Sequence, residues 1–236
     1  MPSVDPERSI AGFYDGIYSF YGAANSFLTF GLDRWWRARA AAMAAKAAPG
    51  AVAVLDACCG TGDFSLALLK ALGPGIELTG ADLSEAMLSL AKKRLPRAGF
   101  VTAEAKRLPF PDASFDLVTI SFATRNLNLD RRRMLEALRE FRRVLRPGGT
   151  FLNLETTRPP NPLLWALMRV YVKTGIGLLN ALSPKNRSSY SFLRNTILNF
   201  YGPADFSALL AEAGFAAPSY RLLLPGAVAV HTAVKP

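Results

Sequence analysis

The stretch Leu55 to Ser65, LDACCGTGDFS, holds the first residues whose types and spacing suit chemistry. A short apolar run, AVAVLDA (51–57), reads as a buried strand entering the turn Gly60-Thr61-Gly62, and Asp63 opens a helical pattern. The two glycines let the backbone approach a ligand where a Cβ would collide. Asp82 follows twenty residues beyond Gly62, at the end of a second strand with Leu83 beside it. A carboxylate at that place accepts hydrogen bonds from ribose hydroxyls. The turn is GTGD rather than GxGxxG, so Asp63 stands where a pyrophosphate would meet a negative side chain. A sulfonium cofactor with an amino-acid tail suits Asp56 and Asp63 better. The reading favours S-adenosylmethionine (SAM) over a dinucleotide. After a third strand, Glu104 is placed to accept from an adenine amino group and the Ala105 N–H to reach a ring nitrogen.

These residues need a frame of alternating elements. Helix is expected over 8–48, ending at Pro49-Gly50. Strands are expected at 51–57, 76–82, 100–103, 115–122 and 150–155. Helices are expected at 63–72, from a Ser84 cap to about Leu95, and from an Asp130 cap to about Leu145, where Pro147-Gly148-Gly149 reads as a stop. Further helices follow over 162–200, broken near Ser183-Pro184, and over 203–213. Two strands joined at Pro225-Gly226 end the chain. The expected fold is α/β: a Rossmann-like, doubly wound, mostly parallel sheet with an antiparallel last strand. One domain, 1–236, carries a helical cover (1–48) and a helical insert (156–200) over the substrate side.

Composition narrows the classes. Half of the 236 residues are hydrophobic and 19% charged, which excludes a disordered chain. The only cysteines, Cys58 and Cys59, are adjacent, and His231 is the single histidine, so neither a disulfide framework nor a metal site is expected. Cys58 reads as a small packing residue. No signal peptide is read in MPSVDPERSI. The net charge of +10 favours an anionic partner. No nucleic-acid-binding signature occurs, and nucleic acid is not expected. The basic runs Arg131-Arg132-Arg133 and Arg142-Arg143 with Arg146 read mainly as solvated helix faces. Pro162 to Leu182 is near spanning length, but Arg169 and Lys173 in its middle argue for a buried or interfacial helix.

The segments LDACCGTGD (55–63), ADLSEAML (81–88), AEAKRLPFPDASFD (103–116) and RVLRPGGTFL (143–152) resemble class I SAM-dependent methyltransferases. More narrowly, TISFATRN (119–126) resembles the TISFGLRN-type segment of the ubiquinone/menaquinone biosynthesis C-methyltransferases. Phe13-Tyr14-Asp15 with GLDRWW (31–36), YSFLRNTI (190–197) and PGAVAVH (225–231) resemble that family's YD with G-x-x-R-x-W, Y-x-Y-L-x-x-S-I and G-G-V-V-A-L-H patterns. Ala123-Thr124 stands where the family has Gly-Leu or Gly-Ile. The resemblance implies a seven-stranded sheet, SAM contacts at Thr61, Asp82, Glu104, Ala105 and Ser121, and methylation of a ring carbon on a polyprenylated quinol precursor.

Such a reaction needs an aligned carbon nucleophile and a stabilised phenolate. Arg125 is the expected cation, facing the cofactor methyl at the end of the fourth strand, and Asn126 would orient a ring oxygen. His231 is a candidate base titrating near neutrality. Tyr14, Asp15 and Tyr190 lie in segments that would close over the site. The apolar surplus of the insert suits an isoprenoid tail, a homodimer contact or docking on an anionic membrane surface. The expectation is a cytoplasmic enzyme loosely held at the inner face of the membrane. Two alternatives stay open: another lipid or aromatic acceptor, and a non-catalytic SAM-binding partner subunit.

Overall fold

The computed structural model describes residues 29–182, 187–223 and 226–236. Eight helices and seven strands are seen among them: α1 (Leu32–Ala47), β1 (Ala53–Ala57), α2 (Asp63–Leu72), β2 (Glu77–Asp82), α3 (Glu85–Arg94), β3 (Gly99–Thr102), β4 (Phe115–Ser121), α4 (Thr124–Leu127), α5 (Arg131–Val144), β5 (Leu145–Thr156), α6 (Pro162–Leu182), α7 (Arg187–Leu198), α8 (Pro203–Glu212), β6 (Ala216–Leu223) and β7 (Val228–Val234). Local chemistry sets several boundaries. Ser84 Oγ accepts from Met87 N at 3.2 Å and starts α3; Asp130 accepts from Arg133 N at 2.9 Å and starts α5. Glycine at 73 ends α2 with φ 89°, which only glycine adopts freely.

The strand order is β3-β2-β1-β4-β5-β7-β6. Pairing is parallel from β3 through β5, and β7 runs antiparallel to both β5 and β6. The order reverses between β1 and β4, so their carboxyl ends flank the crevice where such sheets bind ligands. On one face Leu55, Val118, Ile120 and Phe151 pack against Leu138 and Phe141 of α5 and Phe206 and Leu210 of α8. On the other, Val54, Leu117, Leu152 and Val230 pack against Trp36, Ala40 and Ala44 of α1 and Phe64 and Leu68 of α2.

Two expectations need correction. Pro147-Gly148-Gly149 does not separate helix from strand: β5 begins at Leu145, and its register on β4 jumps from Phe115↔Leu145 to Leu117↔Thr150. The glycines are held in the sheet by the chain end, with Gly148 N donating to Lys235 O at 2.8 Å and Lys235 N to Gly149 O at 2.9 Å. The short helix α4, after β4, was not anticipated. The expectations for Tyr14, Asp15 and the rest of 1–28, and for the joints at Ser183-Pro184 and Pro225, fall outside the described residues.

Candidate active site

The turn after β1 is a run of left-handed backbone: φ is 52° at Cys58, 54° at Gly60 and 77° at Gly62. A Cβ on Gly62 would also meet Leu95 at 3.2 Å and Ala91 at 3.3 Å, so α3 crowds the turn from behind. Cys59 N donates to Ala81 O at 3.0 Å, stitching the turn to β2. Asp82 completes the stitch from the strand end: one carboxylate oxygen accepts Gly60 N at 2.8 Å, the other Ser84 N at 2.9 Å. Asp82, Leu83, Gly60 and Thr61 are all half-buried and lie together at the mouth of the crevice. Cys59 is buried, and burial, then the Asp56 and Asp82 charges, push its thiol up, so it stays protonated and inert.

Asp56, expected at the cofactor, is instead fully buried under the turn. Its carboxyl accepts from Ser65 Oγ at 2.6 Å and Thr119 Oγ1 at 3.1 Å, tying β1 to α2 and β4. Burial pushes its pKa up to about 7, against the pull of those two hydrogen bonds. Asp63 also changes role. Burial alone would raise its carboxyl, but the Arg94 hydrogen bond and the charges of Arg37 and Arg94 outweigh that and hold it below the usual range. Thr61 Oγ1 donates to it at 3.0 Å. Its charge is therefore countered by Arg94 and Arg37, so it presents little net negative charge to repel a pyrophosphate.

The far wall comes from β3 and β4. Glu104 is half-buried after β3 and pairs with Lys106 at 3.1 Å, while Ala105 is buried. Ser121 ends β4, its Oγ buried with no hydrogen-bond partner among the described residues. An orphaned hydroxyl at a strand end beside the turn is what a bound polar ligand would satisfy. With the left-handed turn and the half-open Asp82 carboxylate, it makes the crevice fit a cofactor with amino-acid, ribose and base parts.

Arg125 and Asn126 sit on α4, and both are buried. The Arg125 guanidinium faces Glu155, at the end of β5, at 2.7 Å, and also donates to Phe122 O at 2.7 Å. The other Glu155 oxygen accepts Arg125 N at 3.1 Å. One carboxylate thus clamps both the side chain and the backbone of Arg125. Sequence reasoning missed Glu155; the available signal was a single acid closing the apolar strand TFLNLET. Thr124 Oγ1 donates to Asn153 Oδ1, a second tie from α4 to β5.

His231 does not fit the expectation of a base near neutrality. It lies on β7 opposite Asn153, buried against the edge of Phe206, with Nε2 bonded to Pro203 O at 2.9 Å. Burial pushes its pKa down to about 4, outweighing the opposing pull of the carbonyl. Because that carbonyl only accepts, Nε2 carries the proton of a neutral ring. Tyr190 is buried, packed with Val172 and Ile176 between α6 and α7.

Against known proteins, residues 2–235 match the model of the ubiE/COQ5 methyltransferase family. The chain belongs to that family. It is 35% identical over 225 residues to demethylmenaquinone methyltransferase of Staphylococcus aureus strain JH9, covering 94% of this chain and 91% of the relative. Among solved structures it resembles a SAM-dependent methyltransferase from Thermotoga maritima, with TM-score 0.61, 21% identity, and 92% and 98% of the two chains covered. It also resembles the SAM-dependent methyltransferase SibL in its apo form, with TM-score 0.63, 21% identity, and 87% and 57% covered. Membership makes this chain a SAM-dependent methyltransferase, and the two likenesses agree with its seven-stranded sheet. Bound SAM supplies an electrophilic methyl on a cationic sulfur. The residues that would hold it are those around the crevice mouth: Gly60, Thr61, Gly62, Asp82, Leu83, Glu104, Ala105 and Ser121.

Proposed function

We propose that this enzyme methylates a ring carbon of a polyprenylated quinol in menaquinone or ubiquinone biosynthesis. The observation that carries the reading is the match, over nearly the full length of both chains, to proteins named demethylmenaquinone methyltransferases. The site's chemistry supports it. A ring carbon ortho to a hydroxyl becomes nucleophilic as that hydroxyl loses its proton, and the enzyme must hold the resulting charge in place. Arg125 offers a cation locked in orientation by Glu155 and the Phe122 carbonyl. Asn126, beside it on α4, orients a ring oxygen. Helix α7 packs against α4, and in this reading it borders the acceptor. In the same reading the enzyme is cytoplasmic and works at the inner face of the membrane, where such acceptors reside.

The test is mass spectrometry of the quinone pool in a strain lacking the gene. Accumulation of a quinone lighter by one methyl, reversed by the restored gene, is the expected result. An unchanged pool would remove the quinol assignment and leave a methyltransferase for another aromatic or lipid acceptor.

A further inference from the structure

Between Glu155 and Asp205 the chain has no acidic residue and six basic ones: Arg158, Arg169, Lys173, Lys185, Arg187 and Arg194. The basic runs of α5 are answered by carboxylates: Arg131 pairs with Glu212, Arg132 with Glu136, and Arg143 with Glu140 and Asp112. On α6 nothing equivalent occurs among the described residues, where Arg169 and Lys173 are exposed and meet no carboxylate.

Helix α6 has three stripes. Met168, Val172, Ile176 and Leu179 face α7 and form a small apolar cluster with Tyr190 and Leu193. Leu163, Leu167, Val170, Thr174 and Leu178 recur at three- and four-residue steps, so they share another face. That face is open: Leu163 is 68% exposed, Leu167 60%, Val170 61% and Leu178 50%. Tyr171 extends it to Phe30, 79% exposed, at a ring-centroid distance of 6.1 Å. Arg169 and Lys173, four residues apart, flank this face on the side away from Tyr171.

We propose that the outer face of α6, with Phe30, lies on an anionic lipid surface, its leucines in the acyl boundary and Arg169 and Lys173 among the headgroups. An apolar stripe beside a purely basic one is the pattern of an in-plane interfacial helix. A water-facing second copy of this chain would bring the same positive charges together, which opposes a dimer through this face. A crossing span is opposed by two charges at mid-helix and by the packing of Val172 and Ile176 on α7. Since α7 also touches α4, docking sets the bilayer one helix from Arg125 and Asn126. That consequence rests on the quinol reading; the docking itself does not.

The experiment is co-sedimentation of the purified full-length enzyme with vesicles of phosphatidylcholine alone or with about one third phosphatidylglycerol. Binding to the anionic vesicles, weakened by salt, is expected, with little binding to the neutral ones. Leu167→Asp with Val170→Asp, and separately Arg169→Glu with Lys173→Glu, each lower anionic-vesicle binding about tenfold or more. Both variants keep wild-type melting and wild-type turnover of a short-chain, water-soluble quinol without vesicles, and lose turnover of a long-chain quinol embedded in vesicles. Equal binding to both vesicle types, or none, overturns the proposal. So does a self-association abolished by Leu167→Asp with Val170→Asp, which would give the face to a second copy, or release from cell membranes by detergent but not by salt or alkali, which would mean a span. Vesicle binding without turnover of any quinol would support docking while defeating the quinol reading.

Discussion

Asp82 holds the glycine turn and the start of α3 through separate carboxylate oxygens, from a half-buried place at the end of β2. Asp82→Ala is therefore expected to weaken SAM binding about tenfold to a hundredfold, the range for a charged acceptor and a loosened turn, measured by calorimetry. Single-residue chemistry of this kind was legible in the sequence where spacing alone decides it, as with the turn, Asp82 and the caps Ser84 and Asp130. It was not legible where burial decides. Asp56 and His231 are polar residues in strands, and only the packed structure shows that both are sealed. Folded Asp56 keeps its proton to about pH 7, whereas its ordinary value is 3.8. The stability from that retained proton is whole below about pH 4 and lost as pH rises to about 7, a difference of a few kcal/mol. Urea unfolding should show this decline in the wild type and none in Asp56→Asn across the same window. His231 is the only histidine, so its ring can be followed without ambiguity. Its NMR signals should stay those of a neutral imidazole from pH 8 down to about pH 5. A midpoint near 6.5 would reinstate it as a titrating base.

Among elements, α4 is the one that sequence periodicity could not give. Four residues are too few for a 3.6-residue repeat, and its position depends on Glu155 and Asn153 thirty and twenty-nine residues away. The Pro147-Gly148-Gly149 segment misled for a related reason: its ladder partner, Lys235, is at the far end of the chain. The long helices and the buried parallel strands were legible because their apolar spacing repeats within each segment. The clamp on α4 changes how Arg125 should be tested. Arg125→Ala alone leaves Glu155 buried without its partner, at a cost of about 3–5 kcal/mol, so lost activity would report folding. Arg125→Met with Glu155→Met removes both charges. It should melt within a few degrees of wild type and bind SAM as wild type does, while kcat falls about a hundredfold or more. Wild-type kcat in that variant would make the pair purely structural.

At the scale of the molecule, one sheet brings the cofactor crevice and the Arg-Asn helix to the same edge, because the strand order reverses between β1 and β4. The alternation of strands and helices made that arrangement legible before any contact was known. The acceptor is not encoded at this scale, since the same sheet serves many chemistries. Family membership points to a quinol, and in the reading proposed above that quinol lies on the α4–α7 side. The most direct measurement is incubation of the purified enzyme with methyl-labelled SAM and a demethylmenaquinol, followed by mass spectrometry of the extracted quinone. Label on a ring carbon, strongly reduced in Asp82→Ala at limiting SAM, is the predicted result. Label on oxygen, or no label from a SAM-binding enzyme, would contradict the account.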